Sequence, residues 1–322
     1  MIEARGLTKH FGNFTAVHEL SFRLEEGDTL MLIGPSGCGK TTTLKMINRL
    51  IAPSAGAVFV DGRNILEQPV EAMRRRMGYV IQDIGLFPHY TVAENIGVVP
   101  RLLKWKPARI QERVGVLLEQ LGLPPAEYAH KYPHQLSGGQ QQRVGIARAL
   151  AAEPPIVLMD EPFGALDPLT RQQARRDFRE IEELRSKTVI MVTHDIEEAF
   201  EMGSFIGLLD KGEMQQLGRP QELLLQPAND FVRAFLAEKA AQLELQAVTL
   251  ADVFPELSIG ERPDGIFLEI PSETPLLQSL YQLARQGGAT VVGLTAHHGQ
   301  DRWFQLDALF ELFRKTLRRW NN

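Results

Sequence analysis

The chain has 322 residues, 44% of them hydrophobic and 23% charged, a globular balance that excludes a wholly disordered protein and suits about two domains. Its 40 acidic side chains outnumber 35 basic ones, a formal charge of −5, which argues against a protein built to coat nucleic acid. The single cysteine, Cys38, has no partner for an internal disulfide and fits a reducing compartment.

The opening MIEARGLTKHFG lacks a basic segment followed by an apolar run, and no later stretch reaches about 18 apolar residues, so neither a secretory signal nor a membrane span is expected. Thr29–Ile33 (TLMLI) reads as a buried strand ending in a glycine-rich turn. Residues from about 83 to 135 read as a mostly helical insertion, and 138–152 as a helix. A strand at 156–159, a helix at 168–185 and a strand at Thr188–Val192 follow. Short apolar strands alternating with helices predict an α/β domain, residues 1–236, whose largely parallel sheet is covered on both faces. Residues 237–265 begin polar and helix-prone and read as a linker. Beyond it, 266–270 alternates as a strand, and 275–286 is an amphipathic helix with Leu276, Leu280 and Leu283 on one face. Strands at 289–295 and 302–306 and a helix from 307 to about 318 complete a β-α-β-β-α unit, ahead of a tail at 319–322. At about 50 residues this unit has little core of its own.

The chemistry concentrates in four segments. Gly34-Pro35-Ser36-Gly37-Cys38-Gly39-Lys40-Thr41 matches G-x-x-x-x-G-K-[ST] and lies between a strand and a helix, as a phosphate-binding loop must. Its backbone N–H groups and the helix N-terminus suit phosphate oxygens; Lys40 supplies a charge, and Thr41 a hydroxyl for Mg²⁺. Cys38 reads as a small filler of this loop. The strand IVLM delivers Asp160 and Glu161 to its C-terminal end, where open α/β sheets bind ligands; Asp160 suits Mg²⁺, and Glu161 suits polarising a water. Ser137-Gly138-Gly139-Gln140 is either an ordinary helix cap or a second anion site, which needs a phosphate from elsewhere.

Taken together, GPSGCGKT, LSGGQ, LMDEP and VTHD resemble the ATP-binding subunits of ABC transporters over about residues 1–236. The resemblance implies a P-loop NTPase (RecA-like) core with an inserted helical subdomain, and ATP hydrolysis with Mg²⁺. It implies a dimer of two chains that sandwiches ATP, with Ser137, Gly138, Gly139 and Gln140 closing on nucleotide held by the other chain. ATP contacts then run from Gly34 through Thr42, with Phe11 stacking on adenine; the plainer reading of Phe11 is a core or edge aromatic. Gln82 matches the glutamine that meets Mg²⁺ and water and links the site to a membrane permease. Asp167 matches the loop crossing the dimer interface and also suits an N-cap. His194 matches the histidine that touches the γ-phosphate beside the catalytic Glu161.

The wording KMINRL, YVIQ, IGLFPH and VPRLLKW is similar to the osmoprotectant branch, whose members drive uptake of glycine betaine, choline, carnitine or proline betaine. That implies a peripheral protein on the cytoplasmic face of the plasma membrane, with an integral permease and, through it, a substrate-binding protein as partners; no nucleic acid is expected. An importer ATPase for another solute and a non-transport ABC ATPase are the alternatives. The C-terminal unit resembles a single, degenerate CBS repeat within a small α+β domain, and His297-His298 reads as a solvated turn. Arg314, Lys315, Arg318 and Arg319, with Phe313, Leu317 and Trp320, crowd the last expected helix. They suit that helix's dipole, with salt-screened contact to anionic lipid as the alternative.

Overall fold

A computed structural model of the chain describes residues 2–82, 85–164, 166–247, 249–253, 268–285, 291–294, 302–305 and 311. The chain divides into two compact units, Met1–Arg219 and Pro220–Asn322.

In the first unit, β1 (Ile2–Phe11) and β2 (Phe14–Leu24) form an antiparallel hairpin. The strand β3 (Thr29–Ile33) follows and leads through the glycine-rich turn into α1 (Lys40–Ile47). Next come β4 (Ala55–Val60), β5 (Arg63–Asn64), α2 (Val70–Arg74) and β6 (Met77–Val80). Among the described residues the stretch to the next strand holds helices only: α3 (Val92–Ile96), α4 (Val98–Leu102), α5 (Pro107–Gln120), α6 (Pro125–Tyr128) and α7 (Gly138–Leu150), with a 3₁₀ turn at Pro133–Gln135. The unit closes with β7 (Ile156–Asp160), α8 (Pro168–Glu180), β8 (Thr188–Val192), α9 (Ile196–Met202), β9 (Phe205–Asp210) and β10 (Glu213–Gly218).

A four-stranded antiparallel sheet has the order β2-β1-β4-β5, and a six-stranded sheet the order β10-β9-β3-β8-β7-β6. In the larger sheet β9, β3, β8, β7 and β6 run parallel, and β10 is an antiparallel edge. All five residues of both β7 and β8 are buried, as expected of strands covered on both faces. One core joins the two sheets through α1: Leu7, Val17 and Val58 from one, Leu32, Leu158 and Ile190 from the other, Leu44 and Ile47 between. Each such aliphatic side chain contributes about 1.5–3 kcal/mol by leaving water.

The helix expected over 168–185 ends at Glu180. Ile181 is extended (φ −67°, ψ 99°) and buries its side chain, and a 3₁₀ turn takes Glu182–Ser186. In the second unit, α10 (Pro220–Leu225), α11 (Asp230–Ala237), α12 (Ala240–Ala247) and α13 (Leu250–Val253) precede β11 (Leu268–Glu269), α14 (Leu276–Arg285), β12 (Val291–Leu294) and β13 (Arg302–Gln305). The helix-prone start of the expected linker is α12, which buries Ala240, Leu243 and Leu245. Strand β11 pairs parallel with β12, and β12 antiparallel with β13. His297, His298 and the four cations of the expected last helix lie outside the described residues. No helix of the described residues is long and apolar enough to cross a membrane.

Candidate active site

The register of the parallel sheet places the chemistry. Leu32 of β3 pairs with Val192 of β8, which pairs with Asp160 of β7, so three strands end at one edge. The turn after β3, the carboxylates at the end of β7 and His194 after β8 therefore meet without long loops, as ligand sites do beyond the carboxyl ends of such strands. Ser36 through Thr42, Gln82, Glu161 and His194 line an open cleft of about 420 Å³ there.

Two glycines let the loop fold. Gly34 (φ +141°) packs where a Cβ would collide with the Leu209 carbonyl oxygen, and Gly39 (φ +105°) where it would collide with that of Ala16. Gly39 opens α1 without a side-chain cap, leaving the first-turn N–H groups for an anion. Lys40 is buried, and its Nζ donates to the carbonyls of Gly34 (2.8 Å) and Pro35 (2.9 Å). The loop is thus curled around its own ammonium. Burial pushes the Cys38 thiol up, opposed by the Lys40 charge, which suits a filler and disfavours a reactive thiolate.

Thr41 Oγ1 donates to Asp160 Oδ1 at 2.8 Å. Burial pushes the Asp160 carboxyl up, against the Thr41 hydrogen bond and the charges of Lys45 and Lys40. Burial, with the Asp160 charge beside it, pushes Tyr79 up to about 12. Glu161 takes a left-handed backbone conformation (φ 46°), fixed by its N–H donating to Val192 O at 2.9 Å. Gln82 Nε2 donates to Glu161 Oε2 at 3.2 Å, and His194 Nδ1 lies 3.3 Å from the same oxygen. Among the described residues no three His, Cys, Asp or Glu side chains form a metal cage. The hydroxyl, amide and carboxylate oxygens of Thr41, Gln82 and Asp160 are instead the donors a hard cation takes when phosphate oxygens complete its shell.

The other expected site residues lie away from this lining. Phe11, half exposed, ends β1 with Lys9 Nζ 5.1 Å from its ring centre. Ser137 caps α7: its Oγ accepts from Gln140 N (3.3 Å), and its N–H donates to Gln140 Oε1 (2.9 Å). Gln140 Nε2 in turn donates to the Tyr128 hydroxyl at 3.1 Å. A Cβ on Gly139 would press on Thr170 of α8, so that glycine lets the two helix starts approach. Asp167 caps α8 by accepting from Thr170 N at 3.1 Å. Both motifs are helix caps within one chain, the plainer of the readings each admitted.

Sequence reading missed several supporting residues. Buried Asn95 accepts from Phe87 N and donates to the carbonyls of Phe87, Tyr90 and Thr91, pinning the turn beyond Gln82. Asp195, inside VTHD, caps α9 by accepting from the N–H groups of Glu197 and Glu198. Glu198 itself is buried; desolvation first, then the Asp195 charge, push its carboxyl from 4.5 up to about 8. The fold keeps this proton where the unfolded chain loses it, so the stability it contributes is complete below pH 4.5 and is lost as pH rises to about 8. Glu198→Gln is therefore expected to melt higher than the parent near pH 8, by a few kcal/mol, and to converge with it in acid. Equal melting at both pH values would reject a protonated Glu198.

The ABC transporter family model matches residues 17–164. The glycine betaine/carnitine/choline transport ATP-binding protein OpuCA of Bacillus subtilis is 52% identical over 228 residues, 71% of this chain and 60% of that protein. The chain thus spans less than two thirds of that relative's length. The glycine betaine uptake system ATP-binding protein YehX of Escherichia coli is 46% identical over 300 residues, 93% of this chain and 96% of that protein. The dimeric ATP-binding cassette MJ0796, in a post-hydrolysis state with ADP and Pi, superposes with a TM-score of 0.61 at 34% identity, covering 68% of this chain and 98% of its own. With its strand-end site already in place, this agreement over almost the whole of YehX assigns the chain to the ATP-binding proteins of ABC transporters.

Proposed function

We propose that the chain hydrolyses ATP to power uptake of quaternary-amine osmoprotectants through a membrane permease. The observation that carries the ATPase reading is the meeting of Lys40, Thr41, Gln82, Glu161 and His194 on one cleft. Lys40 and the α1 N-terminus hold the β- and γ-phosphates, and Phe11 stacks on adenine. Glu161 takes a proton from the attacking water while His194 steadies the γ-phosphate; the products are ADP and inorganic phosphate. Thr41, Asp160 and Gln82 would hold Mg²⁺, which when bound offsets the phosphate charge.

A second copy binds head to tail, so that Ser137–Gln140 and Asp167 of one chain close on ATP held by the other. Likeness to a dimeric cassette supports this arrangement. Closure passes through Gln82 to an integral permease, and the chain works as a peripheral protein on the cytoplasmic face of the plasma membrane. A substrate-binding protein delivers solute to that permease. The solute class rests on the relatives' names, glycine betaine, carnitine and choline among them. The C-terminal unit acts as a single CBS-like module that pairs with its copy on the second chain; its β11-α14-β12-β13 order supports that reading.

Uptake of labelled glycine betaine by cells with and without the chain, at low and high salt, tests the proposal, with Glu161→Gln as the inactive control. Salt-stimulated uptake that requires Glu161 is expected. Uptake independent of the chain would leave the ATPase and reject this solute.

A further inference from the structure

Two loops carry the catalytic pair. Glu161 begins the turn that Gly164 closes by donating its N–H to Glu161 O (3.1 Å); Leu166 N donates to Phe163 O at 3.2 Å, one residue before Asp167. His194 sits between Thr193 and Asp195, both locked: Asp195 N donates to Thr193 Oγ1 at 3.0 Å, and Thr193 Oγ1 donates to Glu198 Oε2 at 3.2 Å. One guanidinium reaches both loops. Arg171, in the first turn of α8, donates from Nη2 to Leu166 O (2.9 Å) and Gly164 O (3.4 Å). Its Nη1 lies 3.9 Å from Asp195 Oδ2, and Arg175 Nη1 lies 3.6 Å from the same oxygen. The other Asp195 oxygen caps α9. These side chains are only 24% (Arg171), 11% (Arg175) and 17% (Asp195) exposed, so water screens the contact weakly. A lysine there would offer one point charge in place of a planar fork, and could not serve the two carbonyls and the carboxylate together.

We propose that Arg171 is a positioning residue: it couples the loop ending at Asp167 to the His194 loop, so that the first loop's position sets the alignment of His194 with Glu161. Arg171 touches none of the reacting atoms; it acts through Asp195 and the carbonyls of Gly164 and Leu166. The inference rests on the ATPase reading, under which Asp167 lies at the dimer interface. Dimer closure on ATP would then tighten both loops together, and an open dimer would leave the catalytic pair unaligned.

The test is a double-mutant cycle on the full chain, reading kcat for phosphate release, KM, and the Kd of a fluorescent ATP analogue. Arg171→Ala is expected to lower kcat about tenfold, within the range that misplacement of a catalytic group produces. Nucleotide Kd stays within about twofold, because phosphate is held by other residues. Asp195→Asn keeps an oxygen for the α9 cap while losing its charge, and is expected to show a similar kcat loss. The double variant is expected to be no worse than the worse single one, since either change cuts the same link. Should Arg171→Ala fail to fold, Arg171→Lys takes its place in the cycle. Losses that multiply, a single variant with full kcat, or a Kd that weakens in step with kcat would each overturn the coupling while leaving the ATPase reading intact. A wild-type chain without ATPase activity would sink both.

Discussion

Glu161→Gln is expected to bind ATP within about twofold of the parent and to release phosphate roughly 10²–10⁴ times more slowly, the range for loss of a general base. The change is close to isosteric. The glutamine carbonyl can still accept from Gln82 Nε2, which now lies 3.2 Å from Glu161 Oε2, and the backbone bond to Val192 O does not involve the side chain. What disappears is the charge facing His194 Nδ1 and the basicity needed to take a proton from water. The strained φ of 46° is kept by the turn whichever side chain is present. Binding is read with a fluorescent ATP analogue, turnover by phosphate release, and association by light scattering with ATP. A stable ATP-bound dimer that scarcely turns over is the expected result. A kcat within about threefold of the parent would remove Glu161 from the role of base and leave His194 as the remaining candidate.

The sequence disclosed the centre of the fold better than its edges. Strands β3 and β8 were legible to the residue, because TLMLI and TVIMV are continuous apolar runs and every β8 residue is buried. The hairpin of β1 and β2 was not. Its pairing register shifts between Ala4 and Leu7, between Leu7 and Lys9, and between Lys9 and His10, so burial does not alternate with period two. The α8 boundary was missed because Ile181 reads as another apolar helix position, whereas the structure extends it to bury it. At the site, the cleft lining is drawn from GPSGCGKT with Thr42, Gln82, LMDEP and VTHD, while LSGGQ and Asp167 lie outside it. The links between motifs were invisible. Arg171 and Asp195, like Gln140 and Tyr128, meet through the fold, and no local spacing announces them. Asn95 lies inside the insertion expected to be mostly helical, but its three carbonyl partners come from a turn the pattern leaves unspecified.

Lys40→Ala should remove nucleotide binding itself. Lys40 is 6% exposed as a residue, and its ammonium donates to Gly34 O and Pro35 O, with Cys38 Sγ 3.6 Å away. It therefore has two tasks, holding the loop's curl and presenting charge to the phosphates. Two charge-assisted hydrogen bonds to phosphate oxygens contribute about 3 kcal/mol or more, so affinity for ATP is expected to fall at least roughly a hundredfold. The loop task separates from the charge task by a melt without nucleotide. Removing the donor leaves the Gly34 and Pro35 carbonyls to water, and the cleft is open, so the apo-protein is expected to lose only about 1–2 kcal/mol. Calorimetric titration with ATP then reports the charge. The opposite pattern, ATP affinity retained with the fold badly weakened, would make Lys40 a strut of the loop, and would shift phosphate recognition to the α1 N–H groups and the Gly-rich backbone alone. The two variants also divide the cycle: Lys40→Ala stops before ATP is held, and Glu161→Gln after. Combined, they are expected to behave as Lys40→Ala does, because a base has no water to act on where no phosphate is bound.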